Sequence, residues 1–375
     1  MRKHIIYRYF LFLSLVGLMQ LTLSCSSSSN EIEPLKPEGE DTPLEKDEYT
    51  FMNVEYRKWQ NGTFQAWTTA DSRETRTIDN MNWYTPSSDY SRTAWGGRIG
   101  LQPSSVVGKE GFFRVANCGG RSYLLDPDNG AVIIHGIQHV RPGESTAHKK
   151  AFGTRYGSEA RWSEETGKLL ADNHINYISY GSNRIEVFPA AVRGNLLTPK
   201  TQKIAYAENL YLLRTFMWDM SKNLGYAFDD DKYNRLVLLF EPTFATYIDR
   251  LVQEKSALFA GDRHFIGFYL DNELPFASYQ GTGYANTEGG GWLVHTQKNR
   301  GEFYQNFCLR LLETRNCVGW VHFEYNDGYE SNGNASNKGV VSIEYEPYES
   351  FLSQMRQVNL AVHSLIDYYD TKSVQ

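Results

Sequence analysis

The stretch His264-Phe-Ile-Gly-Phe-Tyr-Leu-Asp-Asn-Glu-Leu274 is apolar and aromatic until it breaks onto Asp271, Asn272 and Glu273. A buried strand that delivers a carboxylate and an amide at its C-terminal end sets a general acid or base beside a hydrogen-bond donor. In a (β/α) barrel the active site collects on that face. Glu273 is therefore the first candidate for proton transfer, and such chemistry calls for a second carboxylate. The chain looks too short beyond Glu273 to supply it in the usual place.

Positioning that carboxylate takes alternating strands and helices. Tyr123–Leu125 and Ala131–His135 read as strands around the turn Asp126-Pro-Asp-Asn-Gly130. Ser158–Asp172 reads as a helix with Trp162, Leu169 and Leu170 on one face, and Ile175–Tyr180 as a strand. Phe244–Leu258 is a helix, Ile266–Leu270 the strand leading to Glu273, and Gln297–Thr314 a long helix. Cys317–Tyr325 is a strand and Tyr348–Tyr369 a final amphipathic helix. Such alternation implies parallel βα units.

Only about four or five parallel strands are legible, where a closed eight-stranded barrel takes about 250 residues. About two dozen Gly-, Ser- and Thr-rich residues separate the Glu273 strand from the helix at Gln297, and one βα unit takes roughly 30. The expected fold class is α/β, a TIM-barrel-derived (β/α) domain that is incomplete. The open sheet edges of such a barrel predict aggregation or dimerisation unless the remaining strands re-close.

Four segments are expected: residues 1–24, 25–48, 49–115 and 116–375. Arg2, Lys3 and Arg8 precede an apolar run from Phe10 to Leu23, too short and interrupted for a confident membrane span and typical of a secretion signal. It ends on Leu21-Thr-Leu-Ser-Cys25, which is similar to a bacterial lipobox with Thr22 where Leu is usual, so Cys25 is the expected lipidated N-terminus. The expected location is the bacterial cell envelope, with a lipid anchor on the membrane.

Ser26–Glu48 is acidic and poor in apolar residues, a flexible tether. Residues 49–115 are rich in Trp, Tyr, Thr, Ser and Gly and form a β-rich lead-in; 116–375 is the barrel-like domain. Loss of residues 1–24 removes those three basic residues and moves the net charge from −6 to −9, without a basic block for nucleic acid. Cys118, Cys308 and Cys317 match no metal spacing and allow at most one disulfide. No metal and no cofactor is expected.

Several phrases resemble agarase-type glycoside hydrolases of clan A. They are Tyr123–Gly130, Gly136-Ile-Gln-His-Val-Arg141, Ile266–Pro275, Gly291–Phe307, Cys317–Tyr325, Asn337–Val341 and Tyr345-Glu-Pro-Tyr348. Together they span roughly residues 110–370. The resemblance implies a TIM-barrel retaining glycosidase acting on β-linked galactan of red-algal type. It assigns Glu273 as general acid/base and Asn272 as hydrogen-bond partner of the sugar 2-hydroxyl.

The family's second Glu, a nucleophile on the seventh strand, has no counterpart, because Pro275–Glu288 runs straight from one matching block into the next. The region of strands five to seven reads as deleted. Retention needs two carboxyl groups about 5–5.5 Å apart, so the resemblance leaves open a hydrolase or a non-catalytic glycan-binding remnant. Glu324 and Glu288 are candidates for a substitute carboxylate. Strand alternation puts Trp320, His322 and Glu324 on one face, with Val321 and Phe323 on the other. Glu324 then points into the barrel as catalyst, sugar ligand or ion-pair partner.

His139 and Arg141 follow a first strand and suit sugar hydroxyls or an anionic sulfate; His139 serves equally as a satisfied histidine beneath the loop. Trp320 and Tyr325 are stacking platforms or core. The triplets at Asn61 and Asn334 carry no meaning for a bacterial lipoprotein.

Overall fold

The computed structural model describes residues 49–60, 63–87, 90–182, 203–224, 240–271, 292–329 and 335–372. Cys25, Asn272, Glu273 and Glu288 lie outside the described residues.

In chain order the first strands are β1 (Met52–Gln60), β2 (Thr63–Phe64), β3 (Asp71–Thr75), β4 (Ser105–Val107), β5 (Arg114–Cys118), β6 (Arg121–Leu125) and β7 (Ala131–Val132). There follow β8 (Ile134–Ile137), α1 (Thr146–Arg155), α2 (Glu159–Asp172), β9 (Tyr177–Ile178), β10 (Ala205–Asn209), α3 (Leu212–Leu224) and α4 (Phe244–Leu258). The chain continues through β11 (Phe265–Tyr269), β12 (Trp292–Val294), α5 (Gln297–Glu313), β13 (Gly319–His322) and α6 (Glu349–Lys372).

Five strands make one parallel sheet in the order β11-β10-β9-β8-β13. Among the described residues β11 and β13 each have one strand neighbour. One face of the sheet gathers Ile134, Tyr177, Ala205 and Ala207 with Trp95, and Phe113, Leu124 and Ile266 pack against them. On this face the Tyr177 hydroxyl on β9 donates to that of Tyr269 on β11 at 3.2 Å, across the intervening β10. Gly136 on β8 lets this face close up, since a Cβ there would stand 2.5 Å from Tyr177 Cδ1.

The other face is covered by helices. On α6, Phe351, Leu352, Met355, Val358, Val362, Leu365 and Ile366 recur at three- and four-residue spacing and are all buried. Tyr304, Cys308, Leu309 and Leu312 do the same on α5. Thr296 caps α5 by accepting the Asn299 N–H at 3.1 Å, and Ser158 caps α2.

The lead-in is β-rich and is fastened to α5 and α6 by polar contacts at long sequence separation. Tyr49 bonds Tyr369 through their hydroxyls, Arg76 pairs with Glu313, and Arg98 and Tyr90 both reach Asp367. The expected boundary at 115/116 falls inside β5, whose hairpin with β6 continues into β7. Asp126 shapes the following turn by accepting the Asp128 and Gly130 N–H groups at 2.9 and 3.0 Å. The strand that follows the Glu273 segment, β12, pairs antiparallel with β1 and so lies outside the parallel sheet.

Several elements were not foreseen, among them α1, β10 and α3. Ala205-Tyr-Ala-Glu-Asn209 has no β-branched residue, yet it occupies an interior position of the sheet, where packing overrides propensity. The helix Leu212–Leu224 follows it directly. Cys118, Cys308 and Cys317 are all free thiols.

Candidate functional site

The C-terminal ends of the five parallel strands bring together one row of aromatic and polar side chains. At the end of β8 the chain turns through His139, which has a left-handed φ of 55°. His139 Nδ1 lies 3.1 Å from Glu324 Oε2, so the carboxylate selects the tautomer with its proton on Nδ1. Gly181, at φ 75°, leaves room for the ring: a Cβ there would stand 2.6 Å from His139 Cδ2.

The row runs in both directions from His139. Toward β13, the Phe323 ring is 5.2 Å away at 69°, and Phe323 is 45% exposed. Toward β9, Tyr180 meets His139 edge-on at 6.5 Å. Tyr180 in turn contacts Tyr269 at 4.9 Å and Tyr211 at 6.3 Å. Burial and the neighbouring Tyr180 push the Tyr211 phenol above its ordinary pKa. At the end of β10, Asn209 Oδ1 accepts the Tyr211 N–H at 2.8 Å, while Asn209 Nδ2 is shielded and has no hydrogen-bond partner among the described residues. A spare amide donor beside exposed rings is the equipment of a sugar site.

The structure places the sequence candidates unevenly. His139 and Glu324 come together. Arg141 is one turn further on, pairing with the exposed Glu144 at 3.2 Å. Asp271 is occupied: its Oδ2 accepts the Leu213 N–H at 2.8 Å and caps α3.

Trp320 and Tyr325 do not join the row. Trp320 pairs in register with His135 on the helix-facing side, is 5% exposed, and donates from Nε1 to the Tyr304 hydroxyl at 2.6 Å. Tyr325 is 1% exposed and meets Thr166 Oγ1 at 3.0 Å beside Trp162. Both are core residues. The expected alternation holds for Trp320, Val321 and His322 and stops where β13 ends: Val321 pairs with Gly136 on the core face, His322 faces the helices, and Phe323 and Glu324 lie past the strand. His322 sits among Tyr304, Phe351 and Arg300, where desolvation and that cation push its pKa down to about 3.

Beyond the strand, Asp327 is buried and accepts from the Gly339 N–H, the Tyr348 hydroxyl and Asn337 Nδ2. Burial raises its pKa. It serves to hold the loop. Among the described residues no group of three His, Cys, Asp or Glu side chains is placed to hold a metal ion.

Tyr180, Asn209, Tyr211, Tyr269 and Phe323 escaped the sequence reading. Tyr180 and Tyr269 each close or nearly close a strand that was legible, so aromatic residues at strand ends were an available signal.

No family model and no curated protein matches the sequence. Solved structures do match. BpGH50 aligns with a TM-score of 0.67 at 19% identity, covering 86% of this chain and 96% of that one. An agarase, AgWH50C, aligns with a TM-score of 0.45 at 12% identity, over 75% of this chain and 67% of that one. An exo-β-agarase aligns with a TM-score of 0.46 at 11% identity, over 75% and 68%. The first of these likenesses is one of fold: the chain has the mixed α/β architecture of BpGH50.

Proposed function

We propose that this chain is a glycoside hydrolase-like protein of agarase type that acts on β-linked galactan of the red-algal kind. The observation that carries the reading is the continuous row Phe323, His139, Tyr180, Tyr269 at the C-terminal ends of parallel strands, flanked by Glu324 and Asn209. Rings stack on the CH faces of sugars, and carboxylate and amide bind their hydroxyls. Arg141 suits an anionic substituent at the rim. The fold shared with BpGH50 and the agarase-like motifs support the same class.

The architecture is proposed to derive from a TIM barrel shortened in the region of its fifth to seventh strands. Two features support this. Four strands lie side by side in sequence order and a later one flanks the first, as when a barrel's last strand closes on its first. The intervening β12 joins the lead-in sheet instead. In this scheme Glu273 is the general acid that protonates the leaving oxygen, and Asn272 holds the sugar 2-hydroxyl. Cys25 carries a lipid that anchors the protein at the cell envelope, behind a signal of residues 1–24 and a tether of residues 25–48.

Hydrolysis of red-algal galactan oligosaccharides by the purified chain, beside Glu273→Gln, tests the proposal. Product from the wild type that vanishes in the variant is expected. Oligosaccharide binding with no product from either would make the chain a glycan-binding protein, and neither binding nor product would remove the reading altogether.

A further inference from the structure

We infer that His135, Asn173, Asn359 and His363 enclose a buried solvent site, in which water molecules donate hydrogen bonds to four side-chain acceptors between the helix-facing side of the parallel sheet and α6.

All four residues are nearly inaccessible, with exposures of 4%, 3%, 0% and 1%. His135 belongs to β8, Asn173 to the turn between α2 and β9, and Asn359 and His363 to α6. Their contacts tie them into one patch. His135 Nδ1 lies 3.4 Å from the His174 carbonyl, and Asn359 Nδ2 donates to the adjoining Asn173 carbonyl at 2.9 Å. Asn359 and His363 stand one turn apart on α6 and so share a face of that helix.

The fixed partners decide what each remaining atom can do. A carbonyl only accepts, so His135 carries its proton on Nδ1, toward His174. By the same rule His363 carries its proton on Nε2, toward the Gly96 carbonyl at 3.2 Å. Lone pairs are left on His135 Nε2 and His363 Nδ1. Both amides turn their nitrogens onto carbonyls, Asn173 onto Leu169 at 2.8 Å and Asn359 onto Asn173, which leaves each Oδ1 as an acceptor. These four atoms are shielded and meet no donor among the described residues. Buried acceptors are costly to leave unmatched, and proteins satisfy nearly all of them.

Four acceptors in one patch suit two kinds of occupant, water or a cation. Arg92 decides between them. Its guanidinium is held by the Leu360 carbonyl at 2.8 Å and exerts its charge on His135, His174 and His363. A second cation is repelled there, whereas water is neutral. About two water molecules carry enough O–H groups for the four acceptors. They bridge β8 to α6, so that solvent as well as apolar packing joins the sheet to its last helix.

A crystal structure of the intact chain that resolves ordered water tests the inference. Density about 2.7–3.2 Å from His135 Nε2 and His363 Nδ1 is expected. Featureless density beside those atoms would overturn it, as would a peak only about 2.0–2.1 Å from the imidazole nitrogens, the distance of a bound metal. Imidazole nitrogen-15 NMR gives a second reading: the proton should reside on Nδ1 of His135 and on Nε2 of His363, and the opposite tautomer at either would put a donor in place of an acceptor and refute the scheme. Urea midpoints of His135→Phe, His363→Phe and the double variant address the sharing of water. The double shift should be smaller than the sum of the single ones, and strictly additive shifts would dissolve the common site.

Discussion

Gly181 stands against the imidazole of His139, close enough that a β-carbon on it would lie 2.6 Å from Cδ2. Its φ of 75° also belongs to the left-handed region that side chains resist. Gly181→Ala should therefore cost about 2–4 kcal/mol, combining left-handed strain with overpacking. Equilibrium urea unfolding measures it. A loss below about 1 kcal/mol would mean that the ring and the loop shift aside freely.

Phe323 and Trp320 are three residues apart and should respond oppositely. Phe323→Ala removes an exposed ring and should weaken binding of galactan oligosaccharides by about 0.5–1.5 kcal/mol, with the melting temperature unchanged. Trp320→Phe removes the indole donor to the buried Tyr304 hydroxyl and should cost about 1–3 kcal/mol of stability with binding unchanged. Calorimetric titration and thermal melts on both variants separate the two roles; the reverse pattern would return Trp320 to the site.

The guanidinium of Arg121 has no solvent exposure and meets Asp370 through two bonds, Nε to Oδ2 at 3.0 Å and Nη2 to Oδ1 at 2.6 Å. Asp370→Ala leaves that cation buried opposite the Thr314 carbonyl alone among the described residues. The expected loss is about 3 kcal/mol, at the lower end for a broken buried pair because Asp370 is partly exposed. A denaturation midpoint within error of wild type would refute it.

Acid should destabilise the fold through three buried histidines. Desolvation pushes the pKa of His135 and His322 down to about 3 and that of His363 to about 4. In the unfolded chain all three return to about 6.5. Between those values the unfolded state binds protons the folded state refuses, so stability is full above about pH 6.5 and falls as pH drops. The slope is about 1.4 kcal/mol per pH unit for each histidine. His135 Nε2 is buried without a partner among the described residues, which leaves a proton there no acceptor among them. Asp126 and Asp327, whose pKa values burial raises, act in the opposite sense at lower pH. Urea midpoints at pH 7, 6 and 5 should decline in order; a flat series contradicts the argument.

The helices and the strands near Ile134, Phe265 and Trp320 were legible because their apolar spacing is imposed by burial on a helix stripe or a sheet face. The strand Ala205–Asn209 was not, since small residues on a crowded face leave no β-branched signature. His139 and Glu324 were both named from the chain, yet their contact depends on β8 and β13 being neighbours, a matter of long-range topology. For Trp320 and Tyr325 the chain left stacking platform and core both open, because a period of two says that successive side chains alternate, without saying which set faces the helices. Phe323 was overlooked on the same ground.

The lead-in is held by partners from the far end of the chain: Tyr49 meets Tyr369 across 320 positions, and Arg98 and Arg121 reach Asp367 and Asp370. A ribosome delivers residues 49–121 long before residues 349–370 exist. The long-range fastening of the early strands therefore forms only after the last helix has emerged, and contacts of such sequence separation are the slow ones to close.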